Sequence, residues 1–208
     1  FNDVYTFGQS TGGYPVVGNV YSDPNSTQFI HKLNNDLDTT LFSTVFGSGS
    51  ATVNISPTAF LVDFCGNIYI SGWGGGSNTT GSTFGMPVTI DALQSSTDGS
   101  DFYIMVLEKD AENLLYATYY GGNQAITGGS GEHVDGGTSR FDRNGRMYQS
   151  VCAGCGFNSD FPIKPSPGAV SATNGSSCNN GVFKFDFNLP ITLADFDVTP
   201  FLCLGDTT

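Results

Sequence analysis

Phe60-Leu61-Val62-Asp63-Phe64-Cys65-Gly66-Asn67-Ile68-Tyr69-Ile70-Ser71-Gly72 decides the fold, because its pattern returns as Ser139-Arg140-Phe141-Asp142-Arg143-Asn144-Gly145-Arg146-Met147-Tyr148-Gln149-Ser150. In both stretches a short strand runs into Asp, a glycine follows shortly after, and an alternating strand leaves. Asp bonds its own backbone at the start of a tight turn, and Gly supplies the positive φ the turn needs. Each stretch therefore reads as a β-hairpin.

Outward from the hairpins, four anchors recur. The alternating strand appears as Asp3-Val4-Tyr5-Thr6-Phe7-Gly8, then around Tyr69 and again around Tyr148. Tyr14-Pro15-Val16, Met86-Pro87-Val88 and Phe161-Pro162-Ile163 follow it in the same order. Phe29-Ile30-His31-Lys32-Leu33, Tyr103-Ile104-Met105-Val106-Leu107 and Val182-Phe183-Lys184-Phe185 form the third set. The fourth occurs twice, as Leu41-Phe42-Ser43-Thr44-Val45-Phe46-Gly47 and Leu115-Tyr116-Ala117-Thr118-Tyr119-Tyr120-Gly121. Each unit is thus strand A, hairpin, strand B, long loop, strand C, short turn, strand D. Four antiparallel strands per repeat predict an all-β chain of β-propeller-type blades.

The expected division is a partial blade over 1–50, a full blade over 51–125 and a last blade over 126–193. The repeat exceeds the usual propeller spacing of about 40–50 residues because the B–C loop is long. Propellers need about four blades or more, so these three cannot close a ring alone. A solenoid-like stack is the alternative architecture. Phe1 in place of an initiator Met makes the chain read as a fragment. Residues 1–190 expressed alone are therefore expected to aggregate or fold only in part.

Composition narrows the function classes. The chain has 208 residues, 28 of them glycine, and only 12% are charged, which suits many short strands joined by turns. Nineteen acids against seven bases give a net charge of −12, which argues against nucleic-acid binding. No apolar run reaches the roughly 18 residues or more of a membrane span, so no membrane insertion is expected. Aromatic and β-branched residues are too abundant for disorder.

Three further runs carry a family likeness: the one from Val62 to Gly75, Glu132-His133-Val134-Asp135-Gly136-Gly137-Thr138-Ser139-Arg140-Phe141-Asp142, and Val151-Cys152-Ala153-Gly154-Cys155-Gly156 followed by Asp160-Phe161-Pro162. Over roughly residues 1–190 the chain resembles the propeller-like region of large gliding-motility-associated bacterial surface proteins. That resemblance implies PKD-type Ig-like modules after the blades and export by the type IX secretion system. The tail over 194–208, opening Ala194-Asp195-Phe196-Asp197-Val198-Thr199-Pro200, is similar to the first strand of such a module. The family implies an extracellular or cell-surface protein in adhesion or gliding, with no catalytic residues to carry over. Asp38-Thr39-Thr40 matches a short O-glycosylation pattern of the bacteria that carry this family, making Thr39 a candidate site.

Enzyme signatures are sparse. The histidines are His31, mid-strand and read as packed or solvent-facing, and His133. No nucleophile elbow, Walker loop or His-Glu-x-x-His pattern is present. Carboxylates are plentiful enough for a glycosidase pair, but Asp63 and Asp142 fit a hairpin role better. Trp73, with Asn78 in the Gly- and Ser-rich loop after it, is a candidate sugar platform. The competing reading is a Trp that plugs the space between blades. Asp98-Gly99-Ser100-Asp101 and Asp23-Pro24-Asn25 offer oxygen ligands for calcium, but neither matches a known loop spacing and both read as solvated turn acids. Asn25, Asn54, Asn78 and Asn174 head sequons that read as coincidental.

The cysteines are the sharpest site signal. In an up-and-down blade the A–B and C–D turns share one face, and the B–C loop and the D-to-A link share the other. Cys152 and Cys155 begin the last B–C loop, Cys178 ends it, and His133 lies in the link into that blade. These four converge as a Cys3His set suited to a structural zinc. The positions matching His133, Cys152 and Cys155 in the middle blade are Asn54, Trp73 and Gly76, so the set is local to the last blade. Oxidation is the alternative, as a Cys152–Cys178 or Cys155–Cys178 disulfide. Cys203 is expected to pair within the tail module, and Cys65 has no evident partner.

The expected function is a structural or adhesive module of a secreted surface protein. Its partners would be other blades and modules of the parent chain, secretion-system components and surface glycans. A lectin-like propeller is the alternative, and a glycan-active enzyme ranks last.

Overall fold

The computed structural model describes residues 3–11, 13–74, 81–123, 131–134, 139–142, 145–155, 160–163, 169–171 and 178–187, with only the backbone of Cys155. Ten strands among them make three antiparallel sheets that follow one another along the chain. The first holds β1 (Val4–Gln9), β2 (Gln28–Leu33) and β3 (Thr40–Phe46), in that order. The second holds β4 (Ser56–Val62), β5 (Ile68–Trp73), β6 (Phe102–Leu107) and β7 (Leu114–Tyr120). The third holds β8 (Ser139–Phe141), β9 (Met147–Cys155) and β10 (Cys178–Phe185), with β9 in the middle. A 3-10 turn at Lys109–Ala111 joins β6 to β7. The chain is all-β.

The repeated hairpin has one geometry in both copies. Asp63 Oδ1 accepts from the backbone N–H of Cys65 at 2.8 Å and of Asn67 at 2.9 Å, and Tyr69 donates its hydroxyl to Asp63 Oδ2 at 3.1 Å. In the third sheet Asp142 Oδ1 accepts from the Arg146 N–H at 3.0 Å and Asp142 Oδ2 accepts from the Tyr148 hydroxyl at 3.4 Å. Gly66 and Gly145 close the turns at φ 89° and 76°, a region that costs an L side chain about 1–2 kcal/mol. The two recurring aspartates hold turns.

Two strand limits differ from the sequence reading. β4 starts at Ser56, well ahead of Phe60, because Ser56 and Pro57 already pair with Trp73 and Gly72. β9 continues to Cys155, and β10 begins at Cys178 directly opposite it. Cys152, Cys155 and Cys178 therefore lie in strands and not in the loop between them. A bulge between Cys178 and Asn180 absorbs the extra residue of β9.

The sheets stack face to face through the second one. Along β6, Tyr103, Met105 and Leu107 pack toward the first sheet with Ile30, Phe42 and Phe46. The alternate residues Phe102 and Ile104 pack toward the third sheet with Met147, Val151 and Phe183. Period-2 alternation thus feeds two cores from one strand, and all of β5 and β6 is buried.

The spacing between sheets is uneven. β4 lies within 8 Å (Cα to Cα) of β8 and of β1 at several residues, closer than the ~10 Å of evenly stacked sheets. Nearer the other edges, rings bridge the gap, as in Tyr120–Phe183 at 4.8 Å, Tyr116–Phe185 at 6.1 Å and Phe102–Phe183 at 5.5 Å. The sheets converge at their first strands and are held apart by aromatic side chains further out.

The outer faces are not bare. Tyr14 stacks on Phe29 at 4.0 Å, and the 13–20 segment bridges to Ser43 through Val17, so a loop covers part of the first sheet's outer face. The third sheet's outer positions carry Ser150, Asn180 and Lys184 beside exposed Tyr148 and Val182. Polar or covered positions thus take up part of both outer faces among the described residues.

Candidate functional site

The two ends of the stack differ in chemistry. At one end lie the tight turns. The place a Cβ would take on Gly66 is 2.8 Å from Lys109 Cγ, so the A–B and C–D turns of the second sheet meet as expected. Lys32 pairs there with Asp110 at 2.8 Å and Asp3 at 3.4 Å, joining the first two sheets. Thr39 is exposed in the β2–β3 turn and donates its hydroxyl to Asp38 Oδ1 at 2.9 Å. His31 is packed: Tyr14 Oη is 2.7 Å from its Nδ1 and Thr40 Oγ1 is 2.8 Å from its Nε2.

At the opposite end the structure brings the cysteine strands and His133 together. His133 and Cys152 form an antiparallel bridge, with N–H to O distances of 3.2 and 2.9 Å. Cys178 faces Cys155 in the β9–β10 register. Cys178 is disulfide-bonded, and Cys152 stays a thiol, so the Cys152–Cys178 bridge does not form. A disulfide sulfur is not a thiolate, so Cys178 does not serve the Cys3His zinc set as it stands. No group of three or more His, Cys, Asp or Glu among the described residues is arranged to hold a metal. Cys65, which has no evident partner in the sequence, is disulfide-bonded as well. Cys203 lies outside the described residues.

Trp73 ends β5 between the second and third sheets. It is 9% exposed, and its ring lies 5.9 Å from that of His133. Sugar stacking needs an open ring face, whereas this ring packs as a plug. Asn78 lies outside the described residues, as does Asn174. Asn54 is 2% exposed, which keeps its sequon from modification.

The most unusual chemistry lies where one sheet hands over to the next, at the same end as the cysteines. The two junctions can be compared position by position, since Ser26, Thr27, Gly47 and Ser48 recur in the next repeat as Ser100, Asp101, Gly121 and Gly122.

At the first junction the described polar side chains find partners. Asn54 Oδ1 accepts from the Ser48 N–H at 3.0 Å, and its Nδ2 donates to the Ser82 carbonyl at 2.7 Å. Thr27 donates its hydroxyl to the Thr52 carbonyl at 3.0 Å, and Ser26 Oγ accepts from the Gly49 N–H at 2.9 Å.

At the second junction carboxylates take these places. Glu132 Oε1 accepts from the Gly122 N–H at 2.9 Å, the bond Asn54 makes to Ser48. Asp101 stands at the repeat position of Thr27, and Asp160 at that of Gly85. Asp160 Oδ2 accepts from the Asn123 N–H at 2.8 Å, and Asp98 Oδ1 from the Ser100 N–H at 2.9 Å. Asp101 and Glu132 are both 0% exposed. Asp101 Oδ1, Glu132 Oε2 and Ser100 Oγ are buried with no hydrogen-bond partner.

Burial pushes the Asp101 carboxyl up to about 7, with the charges of Asp98 and Asp160 adding to it. Burial likewise pushes Glu132 up to about 7, reinforced by Asp101 and Asp98. Tyr119, under the same cluster, is pushed up to about 12 by burial and by Asp101.

Asp98 and Asp101 read in the sequence as solvated turn acids, and the structure corrects this: they are 6% and 0% exposed. The signal lies in the repeat itself, where an acid falls on a position that is Thr in the preceding copy.

No family model matches the chain, and comparison with curated proteins yields no match.

Proposed function

We propose that this chain is a rigid, non-catalytic β-repeat module of propeller type, serving a secreted cell-surface protein in adhesion or gliding. The observation that supports it most is the convergence of successive sheets at β4 and β8 with aromatic wedges farther out. Blades around a common axis have that shape, whereas an even stack does not. A central sheet buried on both faces gives a stiff body with its loops gathered at the two ends. A net charge of −12 suits a large solvent-exposed protein that must stay soluble. Disulfide-bonded Cys65 and Cys178 suit an oxidising, extracellular setting. Export by the type IX system and following PKD-type modules belong to the same reading, through the family resemblance.

The test is genetic and biochemical together. Deleting residues 1–193 from the parent protein in its native host should leave export intact and cut surface attachment or spreading at least about tenfold. Attachment at the parental level would overturn the proposal, as would turnover of glycosidic substrates by the purified chain. A glycan array with the Trp73→Ala variant tests the lectin alternative, for which buried Trp73 gives little support.

A further inference from the structure

We propose that the second sheet junction takes up one calcium ion between the buried carboxylates of Asp101 and Glu132, with Ser100 beside them and Asp160 at the rim, drawing together acids of which no three are yet arranged to hold a metal. The two junctions differ most in their charge. Pro24, Thr27, Asn54 and Gly85 surround the first one, and Asp98, Asp101, Glu132 and Asp160 take the corresponding places or bonds at the second. Three acids stand on neutral positions of the preceding copy and Glu132 makes the bond that Asn54 makes, whereas the first junction's one acid, Asp23, is Thr97 here; no basic group is among the main charges that act on Asp101 and Glu132.

Crowding acids is not itself a site. The second observation is that the two innermost carboxylates are wholly buried and incompletely used. Asp101 Oδ1 and Glu132 Oε2 have no donor, and neither does Ser100 Oγ beside them. A buried orphan oxygen costs about 1–3 kcal/mol, and more when charged. At the first junction the analogous oxygens are satisfied, so the repeat can close this corner without such a cost.

Glycines line the same spot. A Cβ on Gly121 would overlap Asp101 Oδ1, one on Gly122 would overlap Asp160 Oδ1, and one on Gly131 would overlap Ser100 Oγ. Backbone held that close leaves the acid oxygens the room that a side chain would fill. Gly122 stands where the first junction has Ser48, and Asp160 stands where it has Gly85. Bulk has been exchanged across the junction to admit a carboxylate.

The donor set selects the ion. Carboxylates and a hydroxyl are hard oxygen ligands without nitrogen or sulfur, which favours calcium over zinc or copper. The donors come from three separate segments (98–101, 131–132 and 160), a flexible arrangement that suits calcium's 6–8 ligands better than magnesium's strict octahedron. Exposed Asp160 gives the ion a way in from solvent. A divalent cation between the carboxylates would offset their mutual repulsion and let them close to coordination distance.

The test uses the whole 208-residue chain at pH 7.5. Isothermal titration with calcium chloride after chelator treatment should show one site, with a dissociation constant of about 1 mM or tighter and magnesium at least about tenfold weaker. Saturating calcium should raise the melting temperature by several degrees. The Asp101→Asn/Glu132→Gln double variant should lose the calcium response while melting no lower than the chelated wild type. Terbium luminescence on the unmodified chain, sensitised through Tyr119 and Tyr120 and displaced by calcium, gives a readout that needs no variant. A wild type that shows neither heat, terbium signal nor thermal shift overturns the proposal. A double variant that binds calcium as well as the wild type overturns it too.

Discussion

The first and second sheet junctions solve the same packing problem with different polar groups. Both bury rings between sheets, Phe7 against Phe60 at 5.9 Å in one and Phe102 against Phe183 at 5.5 Å in the other. Both use a side-chain oxygen to catch the N–H that follows the sheet's last strand. In the first that oxygen belongs to an amide whose nitrogen finds its own acceptor. In the second it belongs to a carboxylate whose other oxygen finds nothing. The apolar layers carry the architecture, and the polar corner is free to be given another task.

Removing an apolar wedge should produce the largest effect, and the same one at either junction. Phe102→Ala and Phe46→Ala, both at fully buried positions, should each cost about 3–5 kcal/mol in urea denaturation. A cost under about 1 kcal/mol at one of them would break the equivalence of the two layers.

The polar corners should separate with pH. Asp101 titrates near 7 in the folded chain against 3.8 when exposed. The folded state therefore holds this proton more tightly than the unfolded state. Its contribution is fully present below about pH 4 and is lost as pH rises through 7. Glu132 moves in the same direction from 4.5, and Asp23 adds a smaller share at the first junction. In chelated buffer, stability should drop by about 2–4 kcal/mol between pH 5 and pH 8. The Asp101→Asn variant should lose a large part of that drop, and a flat wild-type profile would contradict this electrostatic picture.

Moving the second corner's charge into the first isolates what that charge costs. Asn54→Asp removes the donor to the Ser82 carbonyl and places a charge at a 2% exposed position. It should cost about 1–3 kcal/mol at pH 8 and less at pH 4. Equal costs at both pH values would mean the lost hydrogen bond matters and the charge does not. The smallest effect should come from the repeated turns. Gly145→Ala forces an L residue to φ 76° with its Cβ 3.0 Å from the buried Tyr69 ring, and Gly66→Ala at φ 89° sets one 2.8 Å from Lys109 Cγ, so each should cost about 1–2 kcal/mol from the backbone alone.

The fold is legible in the sequence because its signals are local. Asp63 and Gly66, with Asp142 and Gly145, announce their hairpins within a single turn, and the alternating run through Tyr69 and the continuous apolar run through Tyr103 mark strands whatever they pack against. The limits of β9 and β10 are not legible, since nothing in the sequence near Cys155 and Cys178 says that two strands continue to pair there. Convergence of His133 with Cys152 follows from topology alone and is found. Spacing by itself leaves Cys178 open to a thiolate or a disulfide, because both need the same strands brought together. Asp101 and Glu132 escape notice because an acidic turn looks the same in sequence whether it faces water or the next sheet.

One sheet is sandwiched between two others, with its middle strands shielded on both faces. Native-state hydrogen exchange on the intact chain tests this most directly, because amide protection follows how deeply a strand is locked into the cooperative core. The slowest exchange is expected in β5 and β6, with intermediate rates in β2 and β9 and faster exchange in β1 and β10. Slowest exchange in the first or third sheet, or equal protection in all three, would contradict it.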